Sequence, residues 1–214
     1  MNILITGAAG FIGFNLALYL LNKNYKVYGI DNFDNYYSIP LKKKRIDVLK
    51  KNKKFIFEKI NIINKNKLSS FFKKKKFDII INLAAQAGVR YSLENPFKYI
   101  ESNLKGFGII LENCRKFNIK NFIFASSSSI YGGNQNMPFS ETDPTNHPIS
   151  LYAATKKANE LFAHTYSHLY HIPSTALRFF TVYGPWGRPD MALFLFTNAI
   201  ANNLPIKVFN NGNM

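Results

Sequence analysis

The chain has little cysteine and no long hydrophobic run. Its only cysteine is Cys114, among 214 residues. A lone thiol rules out an internal disulfide and suits a reducing compartment. No apolar run approaches the roughly 18 residues of a membrane-spanning helix. Met1 leads straight into the apolar run NILITG, with no charged segment and signal core, so we expect a cytoplasmic protein with no membrane partner.

Acidic residues are also scarce. The chain has 12 Asp and Glu against 28 Lys and Arg, for a formal net charge of +16. Lysines crowd residues 42–76. No known nucleic-acid-binding module accompanies the charge, so we predict no specific nucleic-acid partner. Loose, salt-sensitive adhesion to polyanions, and attraction of an anionic nucleotide substrate, are both consistent with this surface.

Apolar runs and helical periodicity alternate along the chain, whose residues are 47% hydrophobic. Strands are predicted over residues 2–7, 26–31, 55–60, 77–85, 120–128 and 174–184. Helices are predicted over residues 11–23, 95–117, 150–171 and 190–203. Repeated β-α-β units predict the α/β class: a Rossmann-like, doubly wound parallel sheet with helices on both faces.

A glycine-rich turn follows the first strand. In TGAAGFIG the glycines are Gly7, Gly10 and Gly13, and a helix opens directly after them. Such a turn lets the backbone approach a pyrophosphate, which the helix N-terminus then binds. Asp31 ends the second strand, where a carboxylate accepts hydrogen bonds from ribose hydroxyls and repels a 2′-phosphate. The pattern therefore predicts NAD rather than NADP as cofactor.

Tyr152 and Lys156 lie four residues apart on a predicted helix and so share a face. A free tyrosine is a poor base at neutral pH, but a nearby ammonium and a bound nicotinamide cation would lower its pKa. The serine run 126–129 ends a neighbouring strand and can offer a hydroxyl to the same substrate oxygen. Ser, Tyr and Lys together suit proton transfer coupled to hydride transfer at a carbinol carbon.

The chain resembles the extended short-chain dehydrogenase/reductases of the NAD-dependent epimerase/dehydratase family. The resemblance covers the whole chain, through TGAAGFIG, NLAAQAGVRYSLENP, SSSSIYG, YAATKKANE and RFFTVYGPWGRPDMA. It implies Ser127, Tyr152 and Lys156 as catalytic residues. It also implies a cofactor site made of Gly7, Gly10, Phe11, Ile12, Gly13, Asp31, Asn32, Asn61, Ile62, Leu83, Ala84, Ala85, Asn103, Tyr152 and Lys156. Members usually carry aspartate where this chain has Asn61, which still can bond to adenine.

Within the family, the chain is most similar to the members that epimerise UDP-glucuronate at C4. The 4,6-dehydratases carry an acid beside the catalytic hydroxyl, because elimination needs a second acid/base. Ser128 and Ser129 stand at those positions here, which favours epimerisation. Alternatives remain a UDP-glucose/galactose 4-epimerase, another nucleotide-sugar epimerase or dehydratase, and an inactive NAD- or polyanion-binding fragment.

A uronate substrate carries a hazard, because its 4-keto form is a β-keto acid that can lose carbon dioxide. We hypothesise that Ser128, Ser129 and Thr181 hold the carboxylate with neutral hydroxyls, with Arg188 or Arg90 nearby. Arg90 follows the fourth strand, at the edge of the sheet where ligands bind. The alternative for Arg90 is a surface ion pair.

Length suggests an incomplete substrate domain. We expect residues 1–178 to form the NAD-binding domain with the catalytic residues, and residues 179–214 to begin a shortened sugar-nucleotide region. The resemblance implies a homodimer through helices 95–117 and 150–171. No metal site is predicted, because the stripe of His164, His168 and His171 has no evident fourth ligand.

Overall fold

Six parallel strands form one sheet in the computed structural model, which describes residues 1–206, 208 and 212. The strands are β1 (Asn2–Thr6), β2 (Lys26–Asp31), β3 (Phe55–Lys59), β4 (Ile79–Asn82), β5 (Asn121–Ala125) and β6 (Ser174–Leu177). Their order across the sheet is β3-β2-β1-β4-β5-β6. This arrangement confirms the predicted Rossmann-like fold.

Helices connect the strands. They are α1 (Phe11–Asn22), α2 (Ile39–Lys50), α3 (Lys65–Lys75), α4 (Tyr91–Glu94), α5 (Pro96–Tyr99), α6 (Phe107–Lys116), α7 (Leu151–Tyr170) and α8 (Ala192–Ala201). A π-helical segment, Ile100–Gly106, joins α5 to α6, and a short 3-10 turn, Ser128–Tyr131, follows β5. Among the described residues, no helix has the length and apolarity to cross a bilayer; the cytoplasmic location stays a prediction.

The side chains of β1 point alternately to the two faces of the sheet, and the hydrophobic core is divided between these faces. Leu4 packs into a cluster with residues of α3 and α6, whereas Ile3 and Ile5 pack into a second cluster with residues of α1 and α2. Successive side chains of a strand point to opposite faces, so one apolar strand supplies both layers. The continuous apolar run at residues 3–5 is therefore explained by burial on both sides.

The structure departs from the predicted elements in the lysine-rich stretches. The sequence interpretation gave no helices there, yet α2 and α3 lie within them. Ser38 and Asn64 cap these helices by accepting hydrogen bonds from Leu41 and Lys67. Each helix has only a short apolar face, which in α3 consists of Leu68, Phe71 and Phe72. The many lysines around these residues made the helical periodicity hard to recognise in the sequence.

The sixth strand is shorter than predicted. It ends at Leu177, and residues 178–184, predicted as strand, form an irregular segment beyond the sheet. The amides of Ser126 and Ser128 donate hydrogen bonds to the carbonyl oxygens of Leu177 and Phe179, so the start of this segment runs beside the serine run. The boundary predicted at residue 178 stays a prediction, and part of the range 179–214 lies outside the described residues.

Candidate active site

A cleft of about 540 Å³ opens at the carboxyl ends of the strands. It lies where the chain order reverses, because β1 has β2 on one side and β4 on the other. The connections that follow β1 and β4 leave toward opposite faces of the sheet. Ligands of open α/β sheets bind in the crevice that results. At the carboxyl ends of β1 and β4, the side chains of Thr6 and Asn82 are joined by a buried hydrogen bond of 2.6 Å.

The glycine turn forms one wall of the cleft. Gly7 has a φ of +70°, and a Cβ on it would lie 2.8 Å from the amide nitrogen of Ala84. A Cβ on Gly13 would collide with the carbonyl oxygen of Gly7. Because neither position has room for a side chain, α1 lies close to β1 and presents its N-terminus to the cleft. This geometry could hold a pyrophosphate.

Asp31 stands at the end of β2. Its Oδ2 accepts from the amide of Ala9 at 3.1 Å, and its Oδ1 accepts from the amide of Phe33 at 2.8 Å. Burial raises the pKa of Asp31 above that of an ordinary aspartate, although these hydrogen bonds and the charge of Lys42 oppose the rise. The carboxylate thus orders the loop after β2, and its remaining lone pairs can accept from ribose hydroxyls.

The serine run passes from β5 into the 3-10 turn. Ser127 is buried, and its Oγ accepts from the amide of Ser129 at 3.2 Å. The same hydroxyl lies near enough to Tyr152 to lower the pKa of its phenol. Ser126, Ser128 and Ser129 also face the cleft. The hydroxyl that the sequence singled out therefore lies against the tyrosine.

Tyr152 and Lys156 project from the first turns of α7. Burial raises the pKa of Tyr152, while the hydroxyl of Ser127 and the charge of Arg188 oppose the rise. Lys156 is buried, its Nζ lies 5.9 Å from the centre of the Tyr152 ring, and burial lowers its pKa to about 8. Without ligand, the tyrosine is thus a proton donor rather than a base.

A partly buried ion pair between Arg178 and Glu160 supports the serine run. Glu160 accepts from both Nε and Nη2 of Arg178 at 3.1 Å, and from the hydroxyl of Ser126 at 2.6 Å. Arg178 also donates to the hydroxyl of Tyr131 at 3.1 Å. Ser126 and Tyr131, on either side of Ser127 in the chain, are therefore both held in place, which restricts the position of Ser127.

Two basic residues of α2 reach the cleft region and were missed. Arg45 is fully buried and donates to the carbonyl oxygens of Ala9 and Gly187 at 2.9 and 3.1 Å. Lys42 donates to the carbonyl oxygen of Asp34 at 2.6 Å and lines the cleft. Their spacing of three, on the same face as Ile46 and Leu49, was the available signal: cations on the apolar face of a helix.

Most of the predicted site residues line the cleft. Those present are Gly7, Gly10, Phe11, Ile12, Gly13, Asp31, Asn32, Asn61, Ile62, Leu83, Ala84, Ala85, Ser127, Ser128, Ser129, Tyr152, Lys156, Thr181 and Arg188. Arg90 and Asn103 are not among its lining residues. Arg90 is exposed, and Asn103 is buried beneath the loop after β4, where it bonds to both the amide and the carbonyl of Gln86 at 2.8 and 3.1 Å.

Residues from three separate segments of the chain form a cluster around Arg188, which lines the cleft with Tyr152. Arg188 and Asp190 come from the segment after β6, and the hydroxyl of Tyr36, from the loop after β2, donates to Asp190 at 3.1 Å. The ring of Tyr36 packs on Tyr91, the first residue of α4, with centroids 4.8 Å apart. Thus Arg188 lies in the cleft within electrostatic reach of the tyrosine hydroxyl.

The sheet order, the glycine turn and the Ser-Tyr-Lys group together define a dinucleotide-binding α/β protein of the short-chain dehydrogenase type. More narrowly, the chain belongs to the NAD dependent epimerase/dehydratase family, whose model matches residues 3–214.

Similar proteins cover the whole chain but are longer. Protein CapI of Staphylococcus aureus is 58% identical over all 214 residues, which make up 64% of its length. A probable UDP-glucuronate 4-epimerase of Rhizobium meliloti is 48% identical over the whole chain and 63% of its own length. The crystal structure of UDP-glucuronic acid 4-epimerase from Bacillus cereus, in complex with UDP-glucuronic acid and NAD, superposes with a TM-score of 0.92 at 38% identity, covering 99% of this chain and 67% of that one. The chain thus spans about two-thirds of the length of these relatives.

Proposed function

We propose that the chain is the catalytic part of an NAD-dependent 4-epimerase that interconverts UDP-glucuronate and UDP-galacturonate. The observation that carries the proposal is the convergence of Ser127, Tyr152 and Lys156 with Arg188 in one cleft. The triad supplies proton transfer at a carbinol, and the arginine supplies a cation for a carboxylate-bearing sugar. The similarity to UDP-glucuronate 4-epimerases supports the choice of substrate.

The residues of the cleft fit NAD. The pyrophosphate would lie against Gly7, Gly10 and the N-terminus of α1, where side chains are excluded. The adenosine ribose would lie against Asp31, whose carboxylate disfavours a 2′-phosphate. When bound, NAD supplies reversible hydride acceptance at C4 of the sugar.

The triad would manage the proton of the reacting hydroxyl. Tyr152 removes the proton from the 4-hydroxyl, while Ser127 donates a hydrogen bond to the same oxygen. Lys156 is already close to titration, and its ammonium form stabilises the phenolate. After the 4-keto sugar turns within the cleft, Tyr152 returns the proton to the oxygen at the inverted carbon.

The carboxylate would be held by Arg188 together with hydroxyl groups. Ser128, Ser129 and Thr181 line the same cleft and are neutral hydrogen-bond donors. A carboxylate fixed in the plane of the adjacent carbonyl keeps its C–C bond poorly aligned for loss of carbon dioxide. We infer that these hydroxyls keep the 4-keto acid intact until the proton returns.

The test is to incubate the chain with NAD and UDP-glucuronate and to follow UDP-galacturonate by NMR. Tyr152→Phe should abolish turnover but retain NAD. The matched control is Tyr170→Phe, at the exposed end of the same helix, which should turn over like the wild type. Thr181→Val should release a 4-keto-pentose.

Each other outcome has a defined reading. If the chain converts UDP-glucose but not UDP-glucuronate, its substrate is a UDP-sugar with a neutral hexose and not the proposed uronate. NAD binding without turnover of any UDP-sugar would favour a non-catalytic NAD-binding chain. Unchanged substrate preference in Thr181→Val, with no 4-keto-pentose, would remove Thr181 from the carboxylate site.

We further infer a homodimer through the long helices. Leu161, Phe162 and Leu169 of α7 are exposed apolar residues, and α6 packs beside α7. Pairing of two copies would bury this surface. Sedimentation should give a dimer that Leu161→Glu with Leu169→Glu converts to a monomer; a monomeric wild type would contradict the proposal.

A further inference from the structure

Arg188 is held in place by a carboxylate. Its Nε donates to Oδ1 of Asp190 at 3.0 Å, and its Nη2 donates to Oδ2 of the same residue. Only about a quarter of each side chain is exposed: 22% for Arg188 and 26% for Asp190. A bidentate pair with little exposure fixes the plane of the guanidinium, because two parallel hydrogen bonds remove its rotation.

The pair leaves a recognition edge on the guanidinium. Asp190 takes the edge made by Nε and Nη2. The other edge, made by Nη1 and the second N–H of Nη2, has the same forked geometry and can receive another carboxylate. One arginine can therefore be oriented by the protein on one edge and read a ligand on the other.

Tyr36 fixes the carboxylate in turn. Its hydroxyl donates to Oδ2 of Asp190 at 3.1 Å, and its ring packs on Tyr91. Burial and the neighbouring Asp190 raise the pKa of Tyr36 to about 12, so the hydroxyl remains a donor at neutral pH. Burial alone would lower the pKa of Arg188, but Asp190 raises it, so the cation persists.

We propose that Asp190 is a positioning residue that aims Arg188 at the carboxylate of a uronate sugar nucleotide, with Tyr36 locking Asp190 in place. The proposal rests on the proposed function, and it adds a residue that never touches the substrate. Asp190 also carries a negative charge, which would repel the substrate carboxylate. If removing the charge of Asp190 weakens uronate binding, the orientation of Arg188 matters more than this repulsion. The direction of the change in affinity therefore tests the proposal.

The test uses the full chain loaded with NAD, and it measures dissociation constants by calorimetry for UDP-glucuronate and for UDP-glucose. Asp190→Asn keeps the shape and can still accept from Tyr36, but it loses the charged fork. We expect binding of UDP-glucuronate to weaken about tenfold, while that of UDP-glucose changes less than about twofold. Tyr36→Phe should weaken uronate binding about threefold.

The chain supplies a matched control. Glu112 accepts from Nε and Nη2 of Arg115 at 3.3 and 2.9 Å, and from the hydroxyl of Tyr166 at 2.6 Å. This group repeats the arrangement of Asp190, Arg188 and Tyr36 on α6 and α7, among residues that do not line the cleft. Glu112→Gln should leave both dissociation constants unchanged.

Three results would overturn the proposal. Tighter UDP-glucuronate binding by Asp190→Asn would make Asp190 a competitor for Arg188. Equal losses of affinity for both nucleotides would mean that Asp190 has only a structural role. A wild-type chain that binds both nucleotides equally would show that Arg188 does not recognise the substrate carboxylate. If Asp190→Asn loses its native circular dichroism, Tyr36→Phe decides, because it keeps the charged pair.

Failure of the proposed function would look different. A chain that binds the uronate selectively, and loses that selectivity in Asp190→Asn, supports the positioning role even if no UDP-galacturonate forms. Conversely, turnover with an unaffected Asp190→Asn variant supports the epimerase and rejects the role of Asp190.

Discussion

Arg45 donates a hydrogen bond from Nη2 to the carbonyl oxygen of Trp186, 141 residues further along the chain. The same guanidinium donates from Nη1 to the carbonyl oxygen of Ala9 at 2.9 Å and to the hydroxyl of Tyr37 at 2.8 Å. One buried side chain therefore fastens the glycine turn to the segment that carries Arg188.

Replacing this link should destabilise the whole chain. In Arg45→Met the carbonyl oxygens of Ala9 and Trp186 lose their donor inside the protein. We expect the free energy of unfolding to fall by about 2–4 kcal/mol, because buried acceptors without partners are costly. Urea denaturation followed by circular dichroism measures the loss, and the fluorescence of Trp186, the single tryptophan, reports on the same joint.

A surface arginine provides the comparison. Arg115 pairs with Glu112 within α6, where both side chains are well exposed. Arg115→Met should leave the urea midpoint almost unchanged, because exposed ion pairs contribute little to stability. Equal effects of the two substitutions would mean that the buried hydrogen bonds of Arg45 have no special role.

The sequence allowed us to predict site residues that lie close together in the chain, but not those whose partners are distant in the chain. Tyr152 and Lys156 are separated by one helical turn, and Gly7 to Gly13 lie in one short stretch of chain, so local spacing together with the family resemblance identified them. Arg45 could not be assigned in this way, because its partners lie in two loops that only the folded sheet brings together. The fold itself followed from strand periodicity, whereas α2 and α3 were hidden by lysine-rich composition.

The buried Lys156 should make stability depend on pH. Burial lowers its pKa from the ordinary 10.5 to about 8. Below about pH 8 the folded chain must keep a buried ammonium, which is unfavourable. Between that pH and the unfolded value, the unfolded chain binds more protons, so stability rises with pH through this window.

Replacing the lysine should therefore stabilise the unliganded chain. Lys156→Met is expected to raise the free energy of unfolding at pH 7 by about 2 kcal/mol, somewhat reduced by the lost hydrogen bond to Ala125. The gain should vanish near pH 11. Denaturant titrations across pH measure it, with the exposed Lys116→Met as control; a gain that persists at high pH would point to packing instead.

The lysine surplus should produce weak, nonspecific binding to polyanions. Lys73, Lys74 and Lys75 lie in the last turn of α3, with Lys76 at its end. Binding to duplex DNA should weaken steeply between about 50 and about 200 mM salt, because it depends on counterion release. Lys73→Glu with Lys74→Glu should flatten this salt dependence and leave NAD binding intact. A strong preference between two unrelated duplexes would contradict the prediction.

The glycine turn should tolerate no side chain at its first position. Gly7→Ala would put a Cβ against the backbone of Ala84 at a φ of +70°. We expect the free energy of unfolding to fall by about 2–4 kcal/mol, since the strained conformation and the contact both oppose the native turn. NAD affinity should fall with it, because the turn carries the proposed pyrophosphate site. Chemical denaturation and NAD calorimetry measure the two effects.

Gly108 is the matched control for that substitution. It lies in α6, and a Cβ there meets no atom of the described chain within 4 Å. Gly108→Ala should stabilise the chain by about 0.5–1 kcal/mol, because alanine favours a helix over glycine. If both alanine variants lost stability, the cost at Gly7 would reflect glycine replacement in general rather than the turn. If Gly7→Ala kept both its stability and its NAD affinity, the close contact of the turn with the segment that follows β4 would not be what shapes the cofactor site.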